Sequence, residues 1–250
     1  MRRVRYLFPN GITSLSLAFA LSSVFCAMGG QLEWAGWLIV WCALLDKADG
    51  AVARLLRATS DFGLQMDSLV DLVAFGVAPA VLGYAALKST GSPTATLVTE
   101  GSAIFYVICV AGRLAHFNTT AAEQSETFRG IPSTLGGAVL ATGLLVWATE
   151  GIGGDLLLRA TSSGFLVLGI LMVAPVRLPK LRVRDSTMLN VFFGVGALVT
   201  YVLGFARMYP EVLFLQAFGY MVIGLVVGTT PHVRERRRAK AEAEAEAEAA

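Results

Sequence analysis

Charged residues are scarce in this chain. Aspartate, glutamate, lysine and arginine make up 15% of its 250 residues, whereas a soluble domain usually carries about 25%. Cysteine and histidine are scarcer still, with three and two residues. The thiols of Cys26, Cys42 and Cys109 lie far apart in apolar stretches, a spacing that excludes a zinc-type cluster and predicts reduced, structural cysteines. The polar stretches are too short for a soluble domain of useful size.

Long apolar runs take the place of the missing charge. Hydrophobic residues make up 55% of the chain, and its mean hydropathy is +0.65. An apolar helix of about 20 residues can cross the bilayer core, which is about 30 Å thick. The runs predict an all-α integral membrane protein with eight transmembrane helices, at residues 10–29, 34–54, 64–87, 95–116, 132–149, 156–176, 188–206 and 211–229.

The basic residues favour one orientation of these predicted helices. With the N-terminus inside, 16 of the 20 lysines and arginines lie in cytoplasmic segments and Lys47 lies within a helix, which leaves three outside, Lys88, Arg159 and Arg207. Because lysine and arginine are enriched on the cytoplasmic side, we expect both termini in the cytoplasm. The chain is therefore predicted to be a multi-pass protein of the inner (cytoplasmic) membrane, with no nucleic-acid partner.

The two ends of the chain need separate interpretation. The first 30 residues have the basic start, apolar run and small residues of a secretory signal. However, Phe25 before Cys26 argues against a lipoprotein site, and Pro9–Asn10 predicts a helix start, so we expect an uncleaved first helix. Residues 1–230 are predicted to form the membrane domain. Residues 231–250 are predicted to form a cytoplasmic tail, basic at first and then a low-complexity run of alanine and glutamate.

One stretch, DKADGAVARLLRATSDFGLQMDSLVD, concentrates charge at the cytoplasmic end of the second and third predicted helices. Helical spacing places Asp46, Asp49 and Arg54 on one face, and it places Asp67 and Asp71 on one face of the next helix. The short connection between the helices predicts antiparallel neighbours. Four carboxylates should therefore point into one space.

Such a cluster needs a physical reason, because a carboxylate at membrane depth costs about 2.5–3.5 kcal/mol and like charges repel. One interpretation is a structural salt-bridge cluster with Lys47, Arg54 and Arg57. The hollow that Gly50 and Ala53 leave beside the acids favours another, a site for hard divalent cations with oxygen ligands. Two Mg²⁺ or Mn²⁺ ions bridged by carboxylates would suit a displacement at phosphorus.

The same residues match the signature of a known family. The pattern D-x2-D-G-x2-A-R-x8-G-x3-D-x3-D belongs to the CDP-alcohol phosphotransferases, and this chain meets it with every spacing intact at Asp46, Asp49, Gly50, Ala53, Arg54, Gly63, Asp67 and Asp71. Further segments resemble the bacterial membrane phosphatidylserine synthase subgroup, namely FPNGITSLSL, DSLVDLVAFGVAPA, GRLAHFN and FRGIPSTLGGAVLA. The resemblance covers residues 6–145. Ala74 stands where the subgroup usually has serine, and His116 where it often has arginine, so the identity of the acceptor is the weaker part of the resemblance.

The resemblance implies a reaction and a role for each motif residue. The phosphatidyl group of CDP-diacylglycerol would pass to the hydroxyl of L-serine, with Asp71 as the catalytic base. The implied metal ligands are Asp46, Asp49, Asp67 and Asp71. The implied donor contacts are Asn10, Thr13, Gly50, Ala53, Arg54 and Gly63. The implied serine contacts are Arg113 and Asn118. Similar enzymes are homodimers that bind membrane lipids.

Several alternatives stay open at this point. Asn10 and Thr13 equally fit an N-terminal capping pair, and Arg113 equally fits an anchor at the cytoplasmic surface. The acceptor could be glycerol phosphate, inositol phosphate or choline, and the donor could carry archaeal ether-linked tails. Acidic residues in membrane helices also occur in ion-coupled transporters, although a transporter site usually lies nearer the bilayer midplane.

Overall fold

The structure, a computed structural model, describes residues 4–55, 60–89, 93–120, 127–150, 154–179 and 187–229. Within these ranges eight helical segments occupy the positions of the eight apolar runs, which confirms the helical character of the chain. Their bounds are α1 (Val4–Met28), α2 (Leu32–Leu55), α3 (Asp61–Asp71) with a π-helical segment (Leu72–Val77) and α4 (Ala78–Lys88), α5 (Pro93–Thr120), α6 (Ser133–Glu150), α7 (Gly154–Val173), α8 (Thr187–Ala206) and α9 (Pro210–Thr229).

Four of the described segments are long and apolar enough to cross a membrane, namely Asn10–Met28, Phe62–Lys88, Thr96–Thr119 and Pro210–Val227. Three shorter apolar helices lie at Ser133–Thr149, Arg159–Val173 and Phe193–Ala206. Large apolar side chains also point outward from α5, α7, α8 and α9, as expected where helices face lipid. These features fit a multi-pass membrane protein, and the count of eight transmembrane helices stays a prediction.

The first helix begins earlier than the sequence predicts. α1 starts at Val4 and continues through Pro9, so the prediction of a helix start at Pro9–Asn10 is wrong. In an apolar environment an extended helix satisfies more backbone groups than an early end would, and the loss of one hydrogen bond at a proline is tolerated there. Asn10 and Thr13 therefore lie within a helix, and the interpretation of these residues as a capping pair is wrong as well.

The third helical segment changes its winding beside the motif. Ser60 caps α3 by accepting a hydrogen bond from the Gly63 amide (3.0 Å), and the π-helical segment follows Asp71 directly. The buried hydroxyl of Tyr106 donates to the Phe75 carbonyl within this segment (2.8 Å). Single π-helical turns are rare and often lie at functional sites. The π-helical segment therefore indicates a functional site next to Asp71.

α6 is the central helix of the described bundle. It packs against α2, α7, α9 and the π-helical segment, and residues 136–146 are almost all buried. A helix that is apolar on every side is expected to lie inside a bundle. Gly137 permits a close approach to the π-helical segment, because a Cβ atom there would lie 2.8 Å from the Cβ and 2.9 Å from the Cα of Phe75.

This close approach predicts that Gly137→Ala destabilises the protein. Overpacking of a well-packed core costs about 1–3 kcal/mol, and here the neighbouring atoms include backbone, which cannot swing aside. We expect a lower thermal unfolding temperature in detergent and lower activity. The matched control is Gly101→Ala in α5, where an added Cβ atom meets nothing within 4 Å. Equal unfolding temperatures for the two variants would contradict the packing described here.

A small antiparallel ribbon departs from the purely helical expectation. β1 (Thr127–Arg129) pairs with β2 (Arg177–Pro179). Gly130 follows β1 in a left-handed conformation (φ 69°), and a Cβ atom there would collide with the Met172 carbonyl oxygen. The Gly130 amide donates to the Val176 carbonyl (2.7 Å), and the Ile131 amide donates to the Leu171 carbonyl (3.1 Å). Backbone hydrogen bonds thus fix the start of α6 against the end of α7.

Candidate active site

Three of the four motif carboxylates meet in the structure. Asp46 and Asp49 lie in the second half of α2 and Asp67 lies in α3, and one oxygen of each lies within 4.8 Å of the other two. Asp49 is buried, with 7% of its surface exposed. Asp71 is the last residue of α3, one turn after Asp67, and it is not a member of this compact group.

α1 borders the cluster on one side, because it packs against both α2 and α3. The Thr13 hydroxyl donates to Asp49 Oδ2 (3.0 Å). One turn earlier, the side-chain oxygen of Asn10 lies 3.6 Å from the position of a Cβ atom on Gly63. The structure therefore brings Asn10, Thr13 and Gly63 together at the same edge of the cluster.

α6 borders the cluster on another side, through two consecutive hydroxyl groups at its first turn. The Thr134 hydroxyl donates to Asp46 Oδ2 (3.1 Å). The Ser133 hydroxyl donates to Asp71 Oδ2 (3.4 Å) and is almost fully buried. The positive end of the helix dipole also favours negative charge at this position. The first turn of α6 thus contacts carboxylates from two different helices.

Arg113 reaches the site from α5. Its Nη1 group donates to the Ser133 hydroxyl (3.1 Å), so one serine links the guanidinium to Asp71. The Nε group of Arg113 is buried, and within the described part of the chain it meets no hydrogen-bond acceptor. A buried donor without an acceptor is costly. This group is therefore a candidate contact for a bound anion.

Asn118 is placed differently from Arg113. Its side-chain oxygen accepts from Ser68 (3.1 Å) and its amide donates to Gln65 (3.3 Å), and both partners lie on α3. Five residues correspond to about 140° around a helix at 3.6 residues per turn, so Asn118 and Arg113 present different faces. In the structure Arg113 contacts the first turn of α6 and Asn118 contacts α3, and their role as serine contacts stays a prediction.

A cavity of about 620 Å³ opens between α5 and the end of α7, with Arg113 and His116 in its lining. Its remaining walls are mostly apolar and include Phe117 and Met172. His116 is exposed in the last turns of α5. Ala74, where the resembling subgroup usually has serine, is fully buried in the π-helical segment and brings no polar group to the site.

The salt-bridge interpretation stays open, because most of its cations lie outside the described side chains. Of the three cations in the motif stretch, Lys47 is the one whose side chain is described, and it is exposed. Hydroxyl groups donate to each of the carboxylates of Asp46, Asp49 and Asp71. The side chains of Ala53 and Arg54, and all of Arg57, lie outside the described residues, while Gly50 is half-buried beside Asp49.

The chemistry of the cluster fits a hard divalent cation. Its ligand atoms are carboxylate oxygens, which Mg²⁺ and Mn²⁺ prefer over nitrogen and sulfur ligands. Hydroxyl groups that donate to ligating carboxylates are typical outer contacts of a metal site, because they fix the carboxylate orientation. Asp46, Asp49 and Asp67 could therefore hold a divalent metal ion.

Sequence reasoning missed Ser133, Thr134 and Tyr106. The first two lie in FRGIPSTLGGAVLA, a segment that carries the family resemblance, but serine and threonine are ordinary residues at a helix start. Proline followed by two hydroxyl residues, at the start of an apolar helix, was the available signal. Tyr106 lies within an apolar run and leaves no local signal.

Comparison with known proteins gives consistent matches. The model of the family described as CDP-alcohol phosphatidyltransferase matches residues 6–178. The chain is 39% identical over 183 residues to the CDP-diacylglycerol–serine O-phosphatidyltransferase of Helicobacter pylori strain J99, and the alignment covers 71% of this chain and 73% of that protein.

Other organisms have similar proteins of the same name. The relative from Mycobacterium leprae is 42% identical over 145 residues, which cover 56% of this chain and 46% of that protein. The relative from Methanocaldococcus jannaschii is 34% identical over 143 residues, which cover 57% and 62% of the two chains. The region matched by the family model, residues 6–178, includes the whole carboxylate motif and the helices α5, α6 and α7.

Proposed function

The chain belongs to the CDP-alcohol phosphatidyltransferase family, and on this basis we propose that it is a phosphatidylserine synthase. It transfers the phosphatidyl group of CDP-diacylglycerol to the hydroxyl of L-serine and releases CMP. The observation that carries this proposal is the meeting of Asp46, Asp49 and Asp67 in a chain that aligns over 71% of its length with relatives named CDP-diacylglycerol–serine O-phosphatidyltransferase.

The reaction exchanges one bond to phosphorus for another. The serine oxygen forms a bond to the phosphorus that carries diacylglycerol, the bond from that phosphorus to the CMP oxygen breaks, and the serine hydroxyl proton leaves. Asp71 is the proposed base for this proton. General bases of this kind typically contribute about 10²–10⁴ in rate.

Divalent metal ions, Mg²⁺ or Mn²⁺ and two in number, would supply charge neutralisation at the diphosphate when bound. Asp46, Asp49 and Asp67 would hold them, with Asp71 as a shared ligand. Asn10, Thr13 and Gly63 would border the nucleotide end of the donor, since they lie together at one edge of the cluster. Gly50, Ala53 and Arg54 complete the proposed donor contacts, with Arg54 as a charge-assisted donor to phosphate.

For the acceptor we propose that Arg113 holds the serine carboxylate. Its Nη1 group is engaged by Ser133, while its Nε edge is buried without a described acceptor. A guanidinium edge can bind a carboxylate through two parallel hydrogen bonds. Asn118 was the second predicted contact, and its hydrogen bonds to α3 favour a supporting role at the margin of the site.

We further propose eight transmembrane helices with both termini in the cytoplasm. The charge distribution supports this orientation, and it places the site at the cytoplasmic face of the inner membrane. Residues 1–230 then form the catalytic membrane domain and 231–250 a cytoplasmic tail, which lies outside the described residues. Membrane lipids surround the domain, and a homodimer is the proposed assembly, by analogy with the family.

The acceptor is tested by the product. Purified protein is incubated with CDP-diacylglycerol, Mn²⁺ and, separately, L-serine, glycerol 3-phosphate, inositol phosphate or choline, and both CMP and the lipid product are identified. We expect CMP release to rise with L-serine and to respond little to the others. D-serine is the matched control, because it has the same groups in the opposite arrangement. A clear preference for a phosphorylated alcohol would move the chain to another branch of the family.

A further inference from the structure

The first turn of α6 is not part of the carboxylate motif, yet it contacts two of the motif's carboxylates. Ser133 contacts Asp71 of α3, and Thr134 contacts Asp46 of α2. Consecutive helical residues point about 100° apart at 3.6 residues per turn. Two adjacent hydroxyl groups can therefore face two different helices, so this turn lies between the carboxylates of α2 and those of α3.

Each hydroxyl group donates a hydrogen bond to its carboxylate. An ionised carboxylate only accepts hydrogen bonds, and its two oxygens offer about four acceptor positions. One hydroxyl donor fixes the rotation of the carboxylate and leaves the remaining positions for a metal ion or a proton. Outer contacts of this kind commonly contribute about 10–100-fold to metal affinity or activity.

Ser133 also has a second partner. Its oxygen accepts from Arg113 (3.1 Å), and its single proton is thereby directed at Asp71 (3.4 Å). The longer of these contacts is loose, as catalytic hydrogen bonds often are before substrates bind. A shift of Ser133 would move the guanidinium and the carboxylate together. The serine therefore links the proposed acceptor contact to the proposed base.

We infer that Ser133 and Thr134 are positioning residues with separable roles. Thr134 orients Asp46 for metal binding. Ser133 fixes the positions of Arg113 and Asp71 relative to each other for the reaction with the acceptor. The inference rests on the proposed function, because it assumes a metal at Asp46 and an amino-acid acceptor at Arg113. It goes further in assigning different consequences to two neighbouring residues that lie outside the aspartate motif.

The test uses full-length protein in detergent and five variants. Thr134→Val and Ser133→Ala remove a hydroxyl group, while Thr134→Ser and Ser133→Thr retain one. The matched control is Thr142→Val, because Thr142 is a buried threonine on the same helix whose hydroxyl donates to the Ala138 carbonyl, away from the carboxylates. The measurements are Mn²⁺ affinity by electron paramagnetic resonance, kcat, KM for L-serine and the thermal unfolding temperature.

The two hydroxyl deletions should have different effects. We expect Thr134→Val to weaken Mn²⁺ binding by about 10–100-fold, with Thr134→Ser close to the wild type. We expect Ser133→Ala to weaken Mn²⁺ binding much less than Thr134→Val does, because Asp71 lies outside the compact group of three carboxylates. It should lower kcat/KM for serine by about 10–100-fold, with most of the loss recovered in Ser133→Thr. Thr142→Val should match the wild type in Mn²⁺ affinity and in both kinetic constants.

Three results would overturn the inference. They are wild-type Mn²⁺ affinity in Thr134→Val, equal loss of Mn²⁺ affinity in Thr134→Val and Ser133→Ala, and failure of the hydroxyl-retaining variants to recover function. If the wild type binds Mn²⁺ and uses serine while the variants behave like Thr142→Val, the inference alone fails. A wild type that binds no Mn²⁺ overturns the metal site of the proposed function and this inference with it.

Discussion

Asp71→Asn should reduce turnover by about 10²–10⁴, the usual contribution of a general base, while CDP-diacylglycerol binding changes by less than about tenfold, or about 1.4 kcal/mol. Asparagine keeps the size of aspartate and one oxygen that can accept from Ser133, so the local packing should survive. The measurement is donor affinity and turnover in detergent across a titration of Mn²⁺.

Asp49→Asn is the matched comparison for this variant. Its asparagine can still accept from Thr13, but it removes a charged ligand from the group of three carboxylates. We expect it to weaken metal and donor binding together and to regain activity at high Mn²⁺. If excess Mn²⁺ rescues Asp71→Asn as completely, Asp71 acts as a ligand and not as the base. The proton must then leave by another route, such as water or a phosphate oxygen of the substrate.

Removal of divalent metal by EDTA should abolish CMP release, and added Mg²⁺ or Mn²⁺ should restore it. A metal ion at a reacting phosphoryl group supplies several kcal/mol of transition-state stabilisation, and about 4 kcal/mol corresponds to about a thousandfold in rate. The measurement is CMP release before chelation, after it and after each ion is added back.

The control for chelation is the unfolding temperature of the EDTA-treated protein, which shows whether lost activity reflects unfolding. A folded protein that is inactive in EDTA and active again with Mg²⁺ supports the metal requirement. Full activity in metal-free buffer would contradict the assignment of Asp46, Asp49 and Asp67 as metal ligands. The serine-dependent reaction would then rest on Arg113 and the other donors alone.

Local sequence patterns were sufficient to predict the helical segments and the meeting of three of the four motif carboxylates. Hydropathy located the helical segments, and steps of three and four residues placed Asp46 with Asp49 and Asp67 with Asp71 on shared faces. These features depend on residues close together in the chain. The structure brings Asp46, Asp49 and Asp67 together as that spacing predicts, while the metal and catalytic roles stay predictions.

The features that escaped prediction depend on distant residues. Ser133 and Asp71 are 62 positions apart, and Thr134 and Asp46 are 88 apart, so no local pattern relates them. Tyr106, which donates to the Phe75 carbonyl in the π-helical segment, is 31 positions from Phe75 in the sequence. The partners of Arg113 and Asn118 could not be predicted either, because the two residues share a helix end but contact different elements. A residue five positions further along a helix lies about 140° around the helix axis.

The pairing of β1 with β2 has a consequence for how the chain threads the bilayer. Residues 127–129 and 177–179 lie side by side, although α6 and α7 separate them in sequence. The chain must therefore return to the compartment it left, so the number of crossings between the two strands is even, whatever the total for the protein. Reporter fusions placed just before β1 and just after β2 should be accessible to the same impermeant label. The even number of crossings follows from the three paired residues of β1 and β2, and it does not depend on a hydropathy scale.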